Sequence, residues 1–216
     1  MFDFATLATY LAAAALLVLI PGPGTAWILT QSATGGTLRG IQAAFGLETA
    51  TLIHALAAGL GLSALLATSA LAFELIKYAG AAYLIWLGIK AWRSAPAPEA
   101  AEQTATSDAP PARVHSSARE VYLRSVVTGV LNPKVALFFL AFLPQFVHPE
   151  RGMVWLQFLV LGALLASIGL THSMLLTFVA GRIGRRFKQG GGRWMQRVTG
   201  SVFIALGLRL AVQQRG

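Results

Sequence analysis

Pro21-Gly22-Pro23-Gly24 interrupts an apolar stretch that carries no charge. Two prolines remove backbone donors and two glycines loosen the chain, so a helix passing through must break. A helix restarting near Thr25 presents free amides and the positive end of its dipole, which suit a carboxylate. Asn132-Pro133-Lys134 is a second break. Asn is a strong N-cap and Pro suits the first helical position, so a half-helix is expected to start there. Lys134 lies ten residues beyond Arg124, roughly 15 Å along a helix. An ammonium that deep in a bilayer needs an anion, a carbonyl or water. The expected substrate-binding set is Pro21, Gly22, Pro23, Gly24, Asn132, Pro133 and Lys134. Simple kinking at the first break and snorkelling of Lys134 are the plainer alternatives, and a straight-helix count places the two breaks at different depths.

Three further residues could move protons. Glu48 lies in an apolar segment, half a turn from the face of His54. An intramembrane carboxylate is a candidate for protonation during transport. His54 and His172 lie nearer the middles of their segments, and either could relay a proton near neutral pH. The alternatives are an interfacial Glu48 and two neutral histidines bonded to neighbouring helices. Thr51, Ala55, Gly59 and Ser63 form a small-residue ladder that reads as helix packing.

These residues must be positioned by membrane helices. Hydrophobic residues make up 56% of the 216 and charged residues 12%, about half the charge of a usual soluble domain. Mean hydropathy is +0.64. Residues 4–38, 49–73 and 152–181 contain no Asp, Glu, Lys or Arg. Uncharged apolar runs of that length read as transmembrane helices, and they lack the alternation of barrel strands. The net charge of +9 is concentrated in a few loops, which fits anchoring at anionic lipid and not nucleic-acid binding. The chain has no Cys, which excludes disulfides, thiolate catalysis and Cys-based metal sites. Asp3, without a basic n-region, argues for a first span and against a cleaved signal peptide.

The expected fold is an all-α integral membrane protein of six transmembrane helices, at 4–31, 41–67, 71–92, 122–146, 153–181 and 194–212. Glu74, Lys77, Arg197 and Arg209 weaken the third and sixth. Residues 94–116, rich in Ala, Pro, Glu, Thr and Ser, read as a disordered linker between residues 1–93 and 117–216. Ser117-Ala118-Arg119-Glu120 fits a capping box opening the fourth helix. Twelve basic residues fall in or beside the loops after spans one, three and five, against four on the opposite side. That asymmetry puts the linker in the cytoplasm and both termini outside; a five-span alternative stays open. The halves resemble each other weakly, as in Leu52-Ile-His54-Ala55 against Leu170-Thr-His172-Ser173 and Lys77-Tyr-Ala-Gly80 against Arg197-Val-Thr-Gly200. Three spans repeated once give a 3+3 inverted repeat, the plan of many secondary transporters, whose Pro-interrupted segments point to the site.

The chain lacks a P-loop, an H-E-x-x-H and a G-x-S-x-G. With no Cys and two membrane histidines, a soft-metal exporter is not expected.

Pro21-Gly22-Pro23, the stretch Lys77-Tyr-Ala-Gly-Ala-Ala-Tyr-Leu-Ile-Trp-Leu-Gly88, and Asn132-Pro133-Lys134 followed by Phe138-Phe139 and Phe142-Leu143-Pro144-Gln145-Phe146 together resemble the lysine exporter (LysE) family over nearly the whole chain. Gly46-Leu47-Glu48-Thr49 with His54, and Phe73-Glu74, are most similar to the homoserine, threonine and homoserine-lactone efflux branch, which has glutamine where this chain has Glu48. The resemblance implies export of amino acids or derivatives across the bacterial inner membrane, driven by the proton gradient, with no ATP, organic cofactor or metal. It implies an amino-acid-like solute and the lipid bilayer as partners, a second copy in a homodimer being optional. A membrane-embedded enzyme, thinly supported by His54 and His172-Ser173, and a passive channel are the rival readings.

Overall fold

The computed structural model describes residues 2–68 and 117–183, together with Leu75, Tyr78, Ala81, Ala82, Ile85, Trp86, Ile89, Trp92, Arg93, Ser201, Ile204, Ala205 and Leu208. The linker at 94–116 and most of the third and sixth expected spans lie outside the described residues, as do Glu74, Lys77, Arg197 and Gly200. The described residues contain helices and no strand.

Helix α1 (Phe4–Leu19) opens at Asp3, whose carboxylate accepts from the Thr6 amide at 2.8 Å and the Thr6 hydroxyl at 2.9 Å. It ends because Pro21 disfavours helical backbone at Ile20, which is extended at φ −68° and ψ 117°. Helix α2 (Pro23–Thr68) restarts with proline in its first turn, where no amide donor is needed. It turns sharply at Gly36, at φ 79° and ψ −179°, a conformation essentially restricted to glycine. Two helical arms therefore meet at Gly36. The first continues α1 across the break, and the second returns.

Helix α3 (Ala118–Val130) is capped by Ser117, whose hydroxyl accepts from the Glu120 amide at 3.2 Å, as the capping-box spacing predicts. After Leu131 the chain breaks. Asn132 caps the short α4 (Pro133–Leu137) by accepting from the Lys134 amide at 3.1 Å, with Pro133 in the first turn. The chain continues as a π-helical turn (Phe138–Phe142) and a 3-10 turn (Leu143–Phe146). Pro144 has no amide to give the Leu140 carbonyl, so the α pattern cannot run through it. The bend between residues 118–130 and 133–146 is 47°. A further 3-10 turn (Pro149–Arg151) leads into α5 (Val154–Ile183).

Among the described residues, two stretches are long and apolar enough to cross a membrane by length and composition, Pro23–Gly61, which contains the Gly36 turn, and Val154–Val179; the bent pair around Asn132 is a third if it counts as one span. Large apolar side chains such as Leu52, Leu56, Leu60, Leu175 and Phe178 are exposed along these helices, the pattern of surfaces facing lipid.

The core forms where α1 and α5 enclose the aromatic run. Tyr10 is fully buried against Phe138 and Phe146, and its hydroxyl donates to the Leu161 carbonyl at 2.6 Å. Small residues let the backbones approach. A Cβ at Gly46 would lie 2.5 Å from the Tyr122 carbonyl oxygen, and one at Gly59 would lie 3.1 Å from that of Trp155. Gly162 faces Ala55 just as closely. Of the ladder expected at Thr51, Ala55, Gly59 and Ser63, Ala55 meets Gly162 and Gly59 meets Trp155 and Phe158 of α5; the side chain of Ser63 lies outside the described residues, and Thr51 has another position, described below.

Candidate functional site

The two breaks, placed at different depths by a straight-helix count, are in contact. The ammonium of Lys134 donates to the Leu17 carbonyl at 3.1 Å and to the Ile20 carbonyl at 2.9 Å. These carbonyls belong to the end of α1 and the residue just past it, where orphaned acceptors and the negative end of the helix dipole favour a cation. The straight-helix count failed because the chain turns at Asn132, which brings Lys134 back to the first break. Lys134 is half-buried and has three donors, of which two are engaged.

A cavity of about 80 Å³ opens beside this junction. That is room for several waters and well below the roughly 300–1,000 Å³ of a drug-sized ligand site. Its walls come from every long element. Leu17 and Val18 come from α1; Gly24, Thr25, Glu48 and Thr51 come from α2; Gly129 comes from α3; Asn132 and Lys134 follow it; and Gly169, His172 and Ser173 come from α5. Glu48 lies within Coulombic range of Lys134, and so does His172. No direct ion pair joins Glu48 to Lys134; the ammonium's bonds go to Leu17 and Ile20. The Glu48 carboxylate rests on bare α5 backbone, since a Cβ at Gly169 would lie 2.5 Å from its Oε1. Gly24 and Thr25 stand in the first turn of α2, where amides lack intrahelical acceptors.

Of the expected binding set, Gly24, Asn132 and Lys134 line the cavity. Gly22 touches the Lys134 side chain, with a Cβ there lying 3.4 Å from Nζ. Pro21, Pro23 and Pro133 are exposed and shape the breaks without lining the cavity. Of the proton-coupling set, Glu48 and His172 line it. His54 does not: its Nε2 is 3.4 Å from the Gly129 carbonyl and its ring stacks on Phe139 at 5.9 Å. Six residues at 100° each carry His54 about 120° around the helix from Glu48, so the two share no face. Three residues carry Thr51 nearly back to it. Thr25, expected to offer its amides at the restart of the helix, lines the cavity, as does Ser173, named above only with the rival enzyme reading. Thr51 and Gly169 were not expected there; the i,i+3 spacing of Glu48 and Thr51 was the available signal.

Residues 15–214 match the family described as LysE type translocator. The chain is 37% identical over 204 residues to an uncharacterized membrane protein of Vibrio cholerae, covering 94% of each. It is 34% identical over 205 residues to a homoserine/homoserine lactone efflux protein of Salmonella typhimurium, again covering 94% of each. Identity to a leucine efflux protein of an Enterobacter species is 29% over 205 residues, 94% of this chain and 93% of that one. No solved structure matches. A helical membrane chain whose two breaks meet at a small cavity, matched over nearly its whole length, belongs to the LysE-type translocator family.

Proposed function

We propose that this protein exports a small amino acid or close derivative across the bacterial inner membrane in exchange for protons. The observation that carries the reading is the meeting of the two broken helices at a cavity holding Lys134, Glu48 and His172. Irregular backbone inside a membrane is tolerated where it lines a cavity, and broken helices with opposed charges at one point are how secondary transporters hold solutes. The third donor of Lys134 and the free amides of Gly24 and Thr25 receive the solute's carboxylate. Glu48 and His172 exchange protons with the cavity, while His54 holds α3 through Gly129. Six spans form two halves of inverted topology, each broken once beside a proline, and rocking of one half against the other opens the cavity to either side.

Relatives named for homoserine, homoserine lactone and leucine efflux support solutes of that size. The test is efflux of a panel of amino acids from cells overproducing the chain, followed by counterflow in proteoliposomes. Accumulation driven by an outward substrate gradient and by a pH gradient is expected. A new product would identify an enzyme, and absence of trans-stimulation a channel.

A further inference from the structure

The cavity holds two opposite charges that do not touch. Lys134 spends two donors on Leu17 and Ile20 and keeps one. Glu48 faces it from α2 within Coulombic range, with Thr51 beside it and the Gly169 backbone behind it. Separated opposite charges in an apolar surrounding are costly, and a solute bearing both complementary charges relieves both at once. We propose that Glu48 is the ammonium-binding half of the site, so that the cavity selects zwitterions, and that the solute's ammonium and the exchanged proton occupy this carboxylate in turn. The inference rests on the export reading and adds the chemical class of the solute and the step that couples it to protons.

The geometry restricts what else can serve. Among the described residues, the ionisable groups that line the cavity with Glu48 are Lys134 from the α4 side and His172 from α5. α1 contributes Leu17 and Val18 to the cavity, and α3 contributes Gly129. The charges of α3 at Glu120 and Arg124 are spent on each other at 2.6 Å on an exposed face. A carboxylate in this position binds a proton or an ammonium, and each excludes the other because one neutralises the charge the other needs. On the side of higher pH the ammonium displaces the proton; on the acidic side the proton displaces the ammonium. No bond other than O–H is made or broken, and one solute leaves for each proton that enters on Glu48.

The experiment uses purified full-length protein with L-homoserine, L-homoserine lactone, which keeps the amine but has no free carboxylate, and N-acetyl-L-homoserine, which keeps the carboxylate but has no ammonium. Wild type is expected to bind L-homoserine about tenfold or more tightly than the N-acetyl compound, the scale of one lost charge-assisted contact. Adding L-homoserine in weak buffer is expected to release protons. Glu48→Gln is expected to abolish the discrimination and the release; Glu48→Asp, which keeps the charge, retains the release with weaker binding. Gly169→Ala, which pushes on the carboxylate, raises the KM for L-homoserine more than that for the N-acetyl compound. If wild type exports L-homoserine but accepts the N-acetyl compound equally well, or if Glu48→Gln keeps both properties, the ammonium site is wrong while the export reading stands. If wild type moves no amino acid of the panel, both fall.

Discussion

Lys134 has one role that the structure shows and one proposed above, and the geometry separates them. Its bonds to Leu17 and Ile20 satisfy carbonyls at the end of α1. Its third donor is the one we propose for the solute. Lys134→Met therefore removes two charge-assisted bonds and leaves two carbonyls short of a partner, a loss of about 1–3 kcal/mol. We expect a lower thermal midpoint in detergent together with a raised KM. Lys134→Arg keeps the charge in a planar fork, so stability is expected to recover more than affinity. If Lys134→Met left stability untouched, the ammonium would not be the partner of the first break. If it left KM untouched, the third donor would not serve the solute. The helix restart at Lys134 was legible from Asn132-Pro133. The partners of Lys134 were not, because main-chain carbonyls leave no mark in a sequence. Gly169 was not legible as a site residue for a related reason: it acts by the absence of a side chain, and a glycine in an apolar helix looks like any packing position.

Packing between elements is governed by a few glycines, and they are not equivalent. A methyl at Gly162 would overlap Ala55 and lie 3.4 Å from the Phe139 ring, whereas one at Gly61 meets nothing within 4 Å. Gly162→Ala should destabilise by about 1–3 kcal/mol, the usual cost of overpacking. Gly61→Ala should be neutral or gain up to roughly 1 kcal/mol from reduced chain freedom. Paired thermal melts of the two variants check this, and equal shifts would mean α2 and α5 do not meet at Gly162. The N-terminus of α1 gives a pH dependence. The Thr6 amide, then its hydroxyl, hold the Asp3 carboxyl below its usual range. A lowered native pKa means stability present at neutral pH and lost as pH falls through that value. Amide-exchange protection at Thr6 should drop in acid, and Asp3→Ala should lack that protection at every pH. Breaks and caps of this kind were readable because Pro, Gly, Asn and Ser have few local options. The π-helical turn at Phe138–Phe142 was not, since its residues suit an ordinary helix and only Pro144 signals a disturbance.

Across the whole molecule the described contacts sort the chain into two ends. Asp3 meets Arg151 at 3.6 Å, so the start of α1 shares an end with the turn before α5. At the other end Ser32 meets Thr177 at 3.5 Å near the Gly36 turn, and α3 enters from that side, Tyr122 near its start meeting Thr49 at 3.0 Å part-way along the returning arm of α2. Described charges at the first end include Asp3, Glu150 and Arg151, an acidic balance; at the second they include Arg39, Arg119, Glu120, Arg124 and Arg182, a basic one. Basic loops stay in the cytoplasm, so the second end is expected inside and the Asp3 end outside. The chain has no cysteine of its own, which gives a clean background for labelling. A cysteine replacing Glu150 should react with a membrane-impermeant thiol reagent in intact cells. One replacing Arg119 should react only after the membrane is opened. The reverse pattern would invert the orientation and, with it, the direction in which a proton gradient drives the solute. Labelling of both in intact cells would mean that Asp3 and Ser117 lie on one face, which the Asp3–Arg151 and Thr49–Tyr122 contacts oppose, since a helix α5 of 30 residues runs roughly 45 Å between the two ends.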